Sequence, residues 1–145
     1  MRINGKWQLD EHGVLEPILF AKVLDASGSW QKIPFLIDTG AETTVFSPDD
    51  LGTLGLPCLP SRHHIVGVGG TVDVLTVDTK LQLELDSGSS IVINGPFDGL
   101  VEGREGEFSL LGRDVLSHFA AIFDRPGGVL ALLHGRHRYS IHEDA

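Results

Sequence analysis

The chain has 145 residues, 41% of them hydrophobic, and a formal net charge of −9 at pH 7. That length suits one domain with a core of its own, and the acidic balance excludes nucleic acid as a partner, which requires a basic stripe. No stretch approaches the roughly 18 apolar residues of a membrane helix, so no membrane partner is expected.

Eighteen Gly and seven Pro interrupt short apolar runs, the pattern of an all-β protein. The N-terminus, Met1 to Trp7, lacks an apolar signal core, which predicts no export by the usual route. The single Cys58 allows no internal disulfide and points to a reducing cytoplasm. Its neighbour Leu59 makes it a small apolar filler, not a nucleophile.

Residues 1–16 read as polar and irregular, with a short strand near Trp7-Gln8-Leu9. Ile18 to Leu24 predicts a strand, Asp25 to Ser29 a turn, and Trp30 to Ile37 the returning strand. That strand drives Phe35-Leu36-Ile37 into Asp38-Thr39-Gly40-Ala41. Carboxylates normally sit on the solvated surface. An Asp at the end of an apolar strand needs donors, and a tight Thr-Gly turn supplies backbone N–H groups. Turn chemistry alone would explain the tripeptide, so the rest of the chain must decide.

Glu42 to Phe46 is β-branched and strand-like. Ser47-Pro48-Asp49-Asp50 then opens a short helix, with Ser as cap and Pro at its first position. Ile65 to Val74 shows two alternating segments around the Gly-rich tip Gly67-Val68-Gly69-Gly70, a mobile hairpin. A phosphate loop is not favoured, since neither a helix pattern nor Lys-Ser/Thr follows. Leu81 to Leu85 alternates strictly, Asp86 to Ser89 turns, and Ile91-Val92-Ile93 returns. Residues 98–109 read as an exposed polar loop. Leu110-Leu111-Gly112 leads into Arg113-Asp114-Val115-Leu116, a strand meeting a short helix. A last hairpin spans Ala121 to Leu133, and the tail from His134 carries three His among charges.

Three of these motifs together resemble the retropepsin-type aspartic proteases, the single-lobed and dimeric branch of the pepsin-like fold. They are Leu36-Ile37-Asp38-Thr39-Gly40-Ala41, the Gly-rich hairpin Val66 to Thr71, and Leu110-Leu111-Gly112 before Arg113-Asp114-Val115-Leu116. The flavour of the third is closer to bacterial members than to viral ones. The resemblance covers residues 17–133 and implies a closed β-barrel lobe with one or two short helices. Residues 1–16 and 134–145 are expected to be peripheral to a single domain of this type.

The activity implied is that of an aspartic endopeptidase, with no cofactor and no metal. Its chemistry needs two carboxylates sharing one proton: one activates water while the protonated one polarises the scissile carbonyl, as in aspartic proteases generally. Asp38 would be the catalytic group, with Thr39 and Gly40 shaping its loop and Thr39 bonding across a two-fold axis. Asp86-Ser87-Gly88-Ser89 mimics a second motif but follows a half-exposed strand and reads as a turn. The second carboxylate is therefore expected from a second copy of the chain, in a symmetric homodimer. An extended peptide or protein substrate with apolar residues around the scissile bond would lie beneath the hairpin. Ala41, Ile65, Val66, Gly67, Val68, Gly69 and Gly70 would contact it. Leu111, Gly112, Arg113 and Glu42 would support the loop, the last two as an ion pair. Two other readings are weighed. One is a catalytically weak peptide-binding module on the same fold. The other is a metal site using His63, His64 and tail histidines, which lacks ligand spacing.

Overall fold

The computed structural model of the chain describes residues 1–67 and 69–144. The N-terminal stretch is more ordered than its polarity predicts. β1 (Arg2–Asn4) buries Ile3, and β2 (Lys6–Leu9) pairs antiparallel with β3 (Leu15–Leu24). Ile3 is one apolar side chain among polar neighbours, so no periodicity marks it. Packing against the rest of the core decides its place.

β3 returns as β4 (Trp30–Ile37), with Ile18 opposite Leu36 and Leu24 opposite Trp30. Asp25 holds the turn between them. Its Oδ1 accepts from the N–H groups of Ser27 and Ser29, each at 2.9 Å, and its Oδ2 accepts from Gln31 Nε2 at 2.9 Å. Ile33, Phe35 and Ile37 are buried along β4 at the two-residue period of a half-buried strand. β5 (Val45–Phe46) is shorter than the run from Glu42 suggests. Thr43 and Thr44 are drawn into side-chain bonds instead of a ladder. α1 (Pro48–Leu54) follows as expected: Ser47 Oγ accepts from Asp50 N–H at 3.2 Å, and Gly55 closes the helix at φ 60°.

β6 (Cys58–Gly67) and β7 (Gly70–Val77) form the long hairpin, whose register shifts between Pro60 and His64. β8 (Lys80–Glu84) and β9 (Ser90–Asn94) flank the Asp86 turn. β10 (Phe97–Leu100) stands where an exposed loop is expected, and only residues 101–107 are exposed in that way. Asp98 and Gly99 look like turn formers, yet both are buried. Asp98 accepts from the Thr43 hydroxyl at 2.5 Å. A Cβ at Gly99 would stand 2.8 Å from Leu51 and 2.9 Å from Val77, so the strand fits only without a side chain there. β11 (Ser109–Leu111), α2 (Arg113–Leu116), β12 (Phe119–Asp124) and β13 (Val129–His134) complete the described elements.

Ten strands make one sheet in the order β6-β7-β10-β5-β11-β4-β3-β8-β9, with β2 added to β3. β1, β13 and β12 make a second, smaller sheet. The large sheet curls into a half-barrel around Leu19, Phe35, Phe46, Leu81, Leu83 and Leu111. Phe46 packs edge-on to Phe35 and Phe97, with ring centroids 5.7 and 6.1 Å apart. β11 runs parallel to β4, with Leu111 opposite Ile37, and antiparallel to β5. This crossing brings two distant segments together beside Asp38. Among the described residues no helix is long and apolar enough to cross a membrane.

Candidate active site

Ile37 is the last buried residue of β4, and Asp38 is the first residue beyond it, half-buried. The Asp38 N–H donates to Leu111 carbonyl at 3.1 Å, so β11 continues to hold the chain after the ladder ends. The Gly40 N–H donates to Asp38 Oδ1 at 2.9 Å, and the Ala41 N–H donates to the Asp38 carbonyl at 3.2 Å. The Asp-Thr-Gly turn thus supplies a backbone donor to its own carboxylate.

The third motif locks this loop from below. The Arg113 N–H donates to the Ala41 carbonyl at 2.8 Å and the Asp114 N–H to the Glu42 carbonyl at 3.2 Å. The Arg113 guanidinium donates to the Thr39 carbonyl at 2.9 Å. The guanidinium is turned to the Thr39 backbone, and among the described residues no Arg113–Glu42 ion pair is seen. Gly112 approaches Thr43 so closely that an added Cβ would stand 2.3 Å from its carbonyl oxygen. Only a residue without a side chain allows this contact.

Sequence reasoning missed two residues here. Thr44, fully buried, donates its hydroxyl to Asp114 Oδ1 at 2.7 Å and accepts the Gly112 N–H at 3.1 Å. Its own N–H reaches both Asp114 oxygens at 3.0 Å. The only signal was a polar side chain in an apolar run, with Asp114 masked as a helix-start acid.

Asp38 opens into a cavity of about 900 Å³. Ala41, Glu42, Ile65, Val66 and Arg113 line it, and so do Asp98, which sequence reading placed in a loop, and His64. Val66 is 79% exposed and Val72 47%, which leaves apolar surface on the hairpin beside the cavity. Gly69 and Gly70 sit at the hairpin tip outside the lining, and Gly67 pairs with Gly70. Val68 and the His63 side chain lie outside the described residues. Asp86 is elsewhere: its Oδ1 accepts the Arg2 N–H at 3.0 Å in the β8–β9 turn. That bond holds its carboxyl below the ordinary carboxylate value. Cys58 packs against the core, and burial pushes its thiol up, away from nucleophilic character.

Residues 26–118, which carry both the Asp38 loop and the strand beneath it, match the family described as gag-polyprotein putative aspartyl protease. The chain belongs to this family. Its fold is that of the retropepsins. It is similar to a retropepsin-like aspartic protease from Rickettsia conorii, with TM-score 0.52, 19% identity, and coverage of 91% of this chain and 88% of that one. It is also similar to the EIAV protease complexed with the inhibitor HBY-793, with TM-score 0.50, 23% identity, and coverage of 70% and 86%. At these identities the likeness speaks for the fold. No curated protein matches the chain.

Proposed function

We propose that this family member is an active aspartic endopeptidase that works as a symmetric homodimer, with Asp38 from each protomer forming the carboxylate pair. The observation that carries this reading is the mounting of Asp38. Its carboxylate accepts the Gly40 N–H, its backbone is tied to Leu111, and it faces a cavity large enough for a peptide. A binding module would need the cavity but has no use for a carboxylate braced in this way.

Two Asp38 carboxylates brought together across a two-fold axis would share one proton, because both cannot ionise at close range. The ionised member takes a proton from water as the water attacks the scissile carbonyl. The protonated member donates its proton to the carbonyl oxygen, giving a tetrahedral diol. The proton taken from water then passes to the leaving amine as the C–N bond breaks, and a diol hydroxyl returns a proton to the other carboxylate. Asp86 is unsuited to supply the second carboxylate from within the chain, since it is bonded to the N-terminal strand and does not line the cavity. The β6–β7 hairpin would close over an extended peptide, with Ile65, Val66 and Val72 against apolar substrate side chains and the tip glycines allowing movement.

The test is peptide-library cleavage by the wild type and by Asp38→Asn, with circular dichroism as the folding control. We expect turnover to be abolished in Asp38→Asn with the fold intact, and to be unchanged in Asp86→Asn. Full activity in Asp38→Asn would end the protease reading.

A further inference from the structure

His64 and Asp73 face each other across the hairpin. They are Cα partners in the β6–β7 ladder, and His64 Nδ1 stands 2.7 Å from Asp73 Oδ1. A neutral imidazole carries one N–H, and a carboxylate can only accept. In the neutral ring a contact of this length puts the proton on Nδ1 and leaves the lone pair on Nε2. Among the described residues the ring has no other polar partner. The ring also lines the cavity that holds Asp38, beside the apolar Ile65, Val66 and Val72.

Both side chains are more than half exposed, so the pair adds little to hairpin stability. Its consequence is chemical: it decides which kind of group the ring offers. We propose that Asp73 fixes His64 as the Nδ1–H tautomer, and that Nε2 is a hydrogen-bond acceptor selecting a substrate side chain with a donor, such as a hydroxyl. This deepens the endopeptidase reading and rests on it for the cleavage step. In that role His64 is a specificity-determining residue and Asp73 a positioning residue, and the other described hairpin residues that line the cavity, Ile65, Val66 and Val72, are apolar.

Two measurements test this. The first is ¹⁵N NMR of the imidazole at neutral pH in the whole protein, which needs no substrate. The expected spectrum has a protonated Nδ1 and a lone-pair Nε2, converting in Asp73→Ala to the mixture of tautomers seen in a free imidazole. A protonated Nε2 in the wild type overturns the proposal. The second uses peptides differing only by Thr or Val, swapped at each of the three positions on either side of the scissile bond. At one position the wild type should favour Thr by about 3- to 10-fold in kcat/KM, the worth of one neutral hydrogen bond. His64→Phe should lose that preference and still cleave the Val peptide. Asp73→Ala should weaken the preference without abolishing cleavage. No preference at any position overturns the proposal. If no peptide is cleaved, the same Thr and Val pairs are compared by calorimetric binding. A Thr preference in binding that His64→Phe removes would uphold the His64 assignment and sink only the endopeptidase reading. Equal binding would sink the assignment as well.

Discussion

A single carboxylate, Asp114, accepts the buried N–H and the hydroxyl of Thr44 as well as the N–H of Val115. Replacing it with Ala leaves the fully buried Thr44 N–H without its acceptor, a penalty of about 1–3 kcal/mol. Chemical denaturation should show that loss for Asp114→Ala. Asp114→Asn, which still accepts, should lose less, and equal losses would contradict the account. Asp25 makes a prediction in pH. Gln31 first, then Ser27 and Ser29, hold its carboxyl at about 2. A folded value below the unfolded one means its stabilisation is complete above about pH 4 and disappears as pH falls towards the folded value. The Tm gap between wild type and Asp25→Asn should therefore be widest above about pH 4 and narrow below it, with NMR titration locating Asp25 near the low end. Titration at the ordinary carboxylate value would refute this. At this scale the place of Asp38 just past a buried strand was legible, because the apolar run stops there. It hid Asp98 and Thr44, whose burial depends on partners 55 and 70 residues away.

Strands that obey their own periodicity were legible: β4 matches its expected bounds, and α1 begins at its Ser-Pro signal. β10 was not, since Phe97-Asp98-Gly99 has the composition of a loop and becomes a strand only because neighbours satisfy Asp98 and leave room for Gly99 alone. The supporting strand and Gly112 after it show how closely the third motif is fitted beneath the Asp38 loop. Gly112→Ala forces a Cβ against the Thr43 backbone and should destabilise by about 1–3 kcal/mol while depressing activity, because the Asp38 loop is tied to the same segment. Gly52, inside α1, has nothing within 4 Å of an added Cβ. Gly52→Ala should instead stabilise by about 0.5–1 kcal/mol and leave activity unchanged. Thermal melts of the two variants decide it: a harmless Gly112→Ala would mean that the close crossing of β11 beneath the loop is not what holds Asp38.

For the molecule as a whole, the family and its all-β lobe were legible from three motifs spaced along the chain, and the family match over residues 26–118 agrees. What one chain leaves open is the partner of Asp38, which we propose a second copy supplies. Wild-type and Asp38→Asn chains can be unfolded together, refolded and allowed to pair at random. In a symmetric dimer each site draws one carboxylate from each protomer, so activity should follow the square of the wild-type fraction. At equal mixing it should fall to about a quarter of that of the same total amount of pure wild type, and it should fall further on dilution. An activity of about one half, linear in the wild-type fraction and unchanged by dilution, would place both carboxylates in one chain and contradict the account.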